Sequence, residues 1–127
     1  MQTKTIIDKL ERADGPDRFL FLEAFYAVHG SELAGTRVLG YPEYAALLAR
    51  GIALIDAEAW IDVAMTLVPE GWEWSLYSAQ SGFRPQAQLE TEVMRQREGF
   101  EPVSAFGATP ALALCIAALR ARSQGGE

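Results

Sequence analysis

The stretch that decides the fold is "GATPALALCIAALRAR", residues 107 to 122. Every residue from Ala111 to Leu119 is apolar, so a helix built from this segment must be covered on most of its surface. Thr109 is a typical N-cap residue, Pro110 suits the first helical position, and arginines stand in the last turns, where the helix dipole favours cations. We therefore predict a helix that begins at Pro110 and forms the centre of the core.

Two segments before this helix alternate in polarity as strands with one covered face do. In "GWEWSLY" (71–77) the tryptophans and the leucine share one face, and in "FRPQAQLETEV" (83–93) apolar residues again alternate with polar ones. We expect a hairpin that turns within "AQSGF" (79–83). Pro85 lacks an amide donor, which places the second strand at a sheet edge or gives it a bulge near its start. "FEPVSAFG" (100–107) predicts a short third strand.

The two tryptophans of the first strand can be read as core residues or as a platform for stacking a base or a sugar. An exposed stacking site typically alternates with Lys or Arg, whereas Glu73 lies between Trp72 and Trp74. Each indole also covers a large apolar area. We therefore expect both rings to pack beneath the C-terminal helix.

The N-terminal half is predicted to be helical, with proline and glycine marking most of the boundaries. A first helix is expected over 3–13 and a second over 16–29, the latter ended by Gly30. A short extended piece is expected at 37–39. A third helix is expected from Pro42 to Gly51, and a fourth is expected after Asp56 as its N-cap.

Together these elements predict the α+β class, with a small antiparallel sheet of two to three strands packed against several helices. A chain of 127 residues fits one domain, which we assign to residues 1–127 with a frayed tail over about 123–127.

The charge of the chain argues against nucleic acid as a direct ligand. There are 11 basic and 17 acidic residues, and none of the basic ones lies between Gly51 and Phe83. Phosphate binding requires clustered Lys and Arg. No apolar run is long enough to span a bilayer, no signal peptide is indicated, and a single cysteine excludes an internal disulfide. We expect a cytoplasmic protein that does not bind a membrane.

The sequence contains no recognisable catalytic or metal-binding set, and we expect neither an enzyme nor a cofactor. His29, the only histidine, is predicted at a helix end, where it caps carbonyl groups or faces solvent. Cys115 lies in the apolar helix and is expected to be an inert core residue.

Three segments resemble small phage and prophage proteins of the phage alpha-beta-alpha sandwich domain type. They are "IIDKLERADGPDR" (6–18), "AMTLVPEGWEW" (64–74) and "GATPALALCIAALRAR" (107–122), and they cover under half of the chain. The resemblance implies a phage or prophage origin and a compact domain of sheet and helices, and it implies no catalytic residue. A sheet covered on both faces does not show the polar alternation from Arg84 to Glu92, so we expect that face to be open or only partly covered.

The sequence is compatible with two functions. The first is a non-enzymatic accessory protein that binds a host or phage protein, in its sharper form a counter-defence inhibitor of a host immune system such as CRISPR. The second is a small-ligand binder that sequesters a nucleotide signal, with Trp72, Tyr77 and Arg84 converging on the ligand. A homodimer through an unpaired strand edge is also open. The candidate binding residues are Tyr41, Tyr44, Arg50, Glu73, Tyr77, Arg84, Gln86, Gln88, Glu90 and Glu92.

Overall fold

A computed structural model describes residues 2–34, 41–77 and 84–124. Within these ranges the chain forms six helices and three strands. In order they are α1 (Gln2–Arg12), α2 (Arg18–Ala34), α3 (Tyr41–Asp56), α4 (Trp60–Met65), β1 (Glu73–Tyr77), β2 (Gln86–Glu90), α5 (Glu92–Arg95), β3 (Val103–Phe106) and α6 (Pro110–Gln124). The predicted turn at 79–83 and the extended piece predicted at 37–39 both lie outside the described residues. Of the predicted tail at 123–127, residues 125–127 lie outside them as well.

The strands form an antiparallel sheet in the order β1-β2-β3, and α6 covers one of its faces. On its other side α6 packs against α1 and α4, so it lies between the sheet and a helical layer. All residues from Ala111 to Leu119 are buried. The predicted α+β class and the central position of the C-terminal helix are both confirmed.

The start of α6 follows the sequence signals closely. The hydroxyl of Thr109 accepts a hydrogen bond from the amide of Leu112 (3.2 Å), so Thr109 is the N-cap. Gly107, just before it, approaches the helix so closely that a Cβ there would lie 2.6 Å from the backbone nitrogen of Ala113. Glycine therefore permits β3 to turn directly into α6.

The boundaries predicted in the helical half need correction. Helix α3 does not stop at Gly51 but continues to Asp56, which ends a helix instead of capping one. A Cβ at Gly51 would lie 2.5 Å from Cζ of Phe25, a buried residue of α2. Gly51 is thus a point of close helix packing and not a stop signal.

Helix α2 also passes through its predicted end. It starts one residue after Asp17, whose carboxylate accepts from the amides of Phe19 (2.8 Å) and Leu20 (3.1 Å), and it continues past Gly30 to Ala34. His29 is therefore inside a helix. Its side chain is buried, its Nε2 donates to the carbonyl of Thr66 (3.2 Å), and its ring lies 4.6 Å from that of Phe25.

The second strand differs from its prediction in two ways. It is the central strand of the sheet, not an edge, and Pro85 lies just before its first residue. The strand ends at Glu90 because Thr91 begins helix α5, accepting from the amide of Met94 (3.1 Å). Val93, expected on the apolar face of the strand, is instead 63% exposed.

Candidate functional site

The register of the strands separates the sheet into two faces of different character. Trp74 pairs with Leu89 and Leu76 pairs with Ala87, and these four side chains point toward α6. Both β2 residues are fully buried. The opposite face is made of the alternate residues, and we call it the open face. Its members are Glu73, Ser75, Tyr77, Gln86, Gln88, Glu90, Ser104 and Phe106.

The open face is accessible among the described residues. Every one of its side chains is either exposed or half-buried, whereas Ala87 and Leu89 on the other face of the same strand are buried. The middle row is polar and uncharged, since Gln88 pairs with Ser75 on one side and Ser104 on the other. The prediction that the polar alternation marks an open face holds for β2.

One end of the open face carries an aromatic row. Gln86 pairs with both Tyr77 and Phe106, which are 48% and 47% exposed. Two large rings therefore stand on either side of an amide side chain, which combines apolar area with hydrogen-bonding groups.

The other end carries a charged cluster. Glu73 and Glu90 lie directly opposite each other on neighbouring strands, an arrangement that is unfavourable for like charges. Nη1 of Arg95, from α5, donates to both carboxylates, at 2.8 Å to Glu73 and 2.6 Å to Glu90. Hydrogen bonds to Glu90 and then Glu73 raise the pKa of Arg95 above its usual range. The arginine thus stays charged and bridges the two carboxylates, which offsets their mutual repulsion.

The structure brings five of the ten predicted binding residues together. Glu73, Tyr77, Gln86, Gln88 and Glu90 share the open face. The other predicted residues lie elsewhere. Arg84 is exposed just before β2, Glu92 starts α5, and Arg50 is an exposed residue of α3, which packs on α2 and α4. Tyr41 and Tyr44 belong to α3, and their side chains lie outside the described part of the chain.

Sequence reasoning missed Ser75, Ser104, Phe106 and Arg95. Ser75 was assigned to the correct face but was not counted as a candidate. Phe106 could have been found, because "VSAF" alternates and places it opposite to the buried Val103 and Ala105. Arg95 carries no such signal, since it lies between the two segments predicted as strands, 83–93 and 100–107.

The prediction that both tryptophan rings pack into the core beneath the C-terminal helix is wrong for Trp74, which lies outside the core cluster. Trp72 is half-buried against the core, while Trp74 is 38% exposed because β1 is an edge strand. Tyr77 points to the opposite face. Trp72, Tyr77 and Arg84 therefore do not converge into the site required for the predicted nucleotide binder.

The groups capable of chemistry are dispersed in the described residues. No three side chains of His, Cys, Asp or Glu come together there as a metal site would require. Cys115 is fully buried in α6, and this burial raises the pKa of its thiol. None of the helices in the described ranges has both the length and the apolar character needed to cross a bilayer.

A shallow cavity of about 710 Å³ lies at the turn between α1 and α2. Its walls carry charges of both signs, and Lys9 and Glu23 pair across it at 3.3 Å. Phe19, at its rim, is 75% exposed. The mixed charges do not define a site for one class of small molecule.

Comparisons of this chain with family models, with curated proteins and with solved structures find no match.

Proposed function

We propose that this chain is a non-enzymatic accessory protein that works by binding another protein through the open face. The observation that supports this most strongly is the contrast between the two faces of the sheet. One face is covered by α6, and the other presents polar side chains flanked by the exposed rings of Tyr77 and Phe106. Tyrosine is among the residues that contribute most to binding energy at protein interfaces.

The shape of this surface favours a protein over a small molecule. Small-molecule sites are concave and enclose most of their ligand. The open face is one side of a sheet, and its two rings stand on different edge strands, separated by β2. The net charge of -6 is unfavourable for nucleic acid, which requires a basic surface.

In its sharper form the proposal is a phage or prophage protein that acts in the cytoplasm of the infected host and inhibits an immune system such as CRISPR. What supports this form is the resemblance of residues 6–18, 64–74 and 107–122 to phage proteins. The geometry of the open face supports protein binding in general and is neutral on the target.

The test is to purify the tagged full chain from its own host under native conditions and identify what is retained. We expect a protein in stoichiometric amount, whose complex can be rebuilt from the two purified components. Retention of a small ultraviolet-absorbing compound in place of a protein would support the nucleotide binder and overturn this proposal.

Matched variants assign the interaction to the open face. Removing both rings, with Tyr77→Ala and Phe106→Ala, should weaken the rebuilt complex by about 100-fold. Phe19→Ala removes a still more exposed ring (75%), on α2 and outside the sheet, and should leave binding unchanged. Equal effects of the two variants would contradict the assignment.

A further inference from the structure

Within the part of the chain that the structure describes, no strand pairs with the outer edge of β1, and the register identifies the backbone groups that this edge presents. The amide of Gly107 donates to the carbonyl of Pro85 (3.1 Å), which marks this pair as hydrogen-bonded. In an antiparallel ladder such pairs alternate, so Ala87 and Leu89 also direct their backbone groups toward β3. The intervening residues of β2 direct theirs toward β1.

It follows that Glu73, Ser75 and Tyr77 use their backbone groups to bond β2. Trp74 and Leu76 then direct their N–H and C=O groups away from the sheet. The edge of β1 therefore presents two donors and two acceptors in the spacing that an added strand requires.

The opposite edge of the sheet, that of β3, is partly occupied. There the outward carbonyl of Ser104 accepts a hydrogen bond from Nη1 of Arg120 (3.1 Å), and Arg120 also pairs with Glu11 of α1. Natural sheets cover or charge an edge to prevent pairing with other chains. The two edges thus differ, and that of β1 is better suited to a strand from outside.

The side chains along β1 determine which kind of strand fits. Toward α6 the edge presents Trp74, 38% exposed, and the half-buried Leu76. Toward the open face it presents Glu73, whose side chain is 68% exposed, then Ser75 and Tyr77. A strand beside β1 must therefore alternate apolar residues with polar ones.

The charge around this edge selects a basic partner. Glu70 and Glu73 are exposed, and no Lys or Arg occurs from residue 51 to residue 83. Arg95 is shared between two carboxylates, and Arg84 lies beyond the Tyr77 end. A second copy of the chain would bring the same acidic edge, whereas a basic segment supplies the missing charge.

We propose that the free edge of β1 binds an extended segment of a partner protein in which apolar residues alternate with Lys or Arg. The segment adds a fourth strand to the sheet through the backbone groups of Trp74 and Leu76. This inference rests on the proposed function and specifies the partner's chemistry at the border of the open face.

The experiment measures amide hydrogen exchange of the full chain by NMR with a synthetic probe, acetyl-Thr-Val-Lys-Val-Lys-Val-Thr-amide. At saturation the amides of Trp74 and Leu76 should exchange at least about tenfold more slowly, because they acquire hydrogen bonds. Those of Ser75 and Tyr77 should change little, since β2 already holds them. No binding at about 1 mM, or protection confined to other segments, overturns the proposal.

Two controls separate strand addition from general charge attraction. The same peptide with N-methylated alternate amides, made in both registers, should lose binding in one register and keep it in the other. Glu73→Lys should weaken binding by about tenfold, while Glu101→Lys, which changes the net charge equally, should not. Equal losses for both variants would contradict a specific edge site.

Different results would contradict strand addition at β1 and protein binding by the chain. If a purified partner complex forms but the amides of Trp74 and Leu76 exchange as in the free chain, the edge proposal is wrong and protein binding stands. If the free chain sediments as a dimer with those amides already protected, a second copy occupies the edge and the proposal is also wrong. If no protein partner is retained, the proposed function itself fails.

Discussion

Gly51 shows how a single residue can have a different role from the one its type suggests. It lies inside α3, where alanine has the higher helix propensity by about 1 kcal/mol. However, an added Cβ would lie 2.5 Å from the ring of Phe25, which is buried. The backbone approach between α2 and α3 at this point depends on the missing side chain.

We therefore expect Gly51→Ala to lower the free energy of unfolding by about 1–2 kcal/mol, because overpacking outweighs the gain in propensity. Urea denaturation of the wild-type chain and the variant measures this change in the free energy of unfolding. In a Phe25→Leu background the same substitution should cost less, since the ring has been removed. Unchanged or increased stability of the single variant would show that the contact is not tight.

Cys115 gives a second prediction at this scale, based on its protonation. Burial raises the pKa of the thiol in the folded chain above its value of about 8.5 in an unfolded one. The folded chain therefore holds the thiol proton more tightly than the unfolded chain does. The contribution of this group to the free energy of unfolding is full at pH values well below 8.5 and declines as the pH rises above 8.5.

Between pH 9 and pH 10.5 the wild-type chain should lose stability faster than Cys115→Ala, with a difference that approaches about 1.4 kcal/mol per pH unit. Urea titrations of both proteins across this range measure the difference, and the variant corrects for the titration of lysines and tyrosines. Parallel pH profiles would mean that the thiol is accessible in the folded chain.

At the scale of the element, the best-predicted part of the molecule is α6. Its cap, its first proline and its apolar run are local signals, and all agree with the observed helix over Pro110–Gln124. Strand alternation was similarly informative for β2, where neighbours on both sides and a covering helix enforce the pattern, whereas β3 was predicted without an assignment of its faces.

The misassigned elements depend on contacts that are distant in sequence. Helix α3 continues through Gly51 because Phe25, 26 residues earlier, fills the space beside it. β2 is a central strand because β3 pairs with its second edge. Pro85 had favoured an edge position instead. The candidate site was predicted only in part, also because of contacts between elements. Alternation along the strand identified the open face, but it did not indicate that α5 places Arg95 beside Glu90.

The cap of α6 can be tested separately from its packing. Thr109→Ala should lower the free energy of unfolding by about 1 kcal/mol, because the amide of Leu112 loses its acceptor. Thr109→Ser keeps the hydroxyl and should retain most of the stability. Urea denaturation of the wild-type chain and both variants measures these free energies of unfolding. Equal losses in both variants would assign the effect to the methyl group of the threonine.

At the scale of the whole molecule, the fold divides one small sheet into a covered face and an open face. The side toward α6 supplies the core, and α6 in turn joins the sheet to α1 and α4. The other side supplies little to the core and keeps two exposed rings and a bridged pair of carboxylates.

The labelling rate of a cysteine placed at Ser75 tests this division most directly. Ser75 is an exposed residue of the open face, and Ser123 is an exposed residue near the end of α6 that provides a matched control. Both substitutions, Ser75→Cys and Ser123→Cys, are made in a Cys115→Ala background and labelled with a thiol reagent, free and in the purified complex with the retained partner. We predict rapid labelling of both positions in the free chain and a slowing of at least about tenfold at position 75 alone in the complex. Slow labelling at position 75 in the free chain, or equal rates there in both states, would contradict an open face that serves as the binding surface.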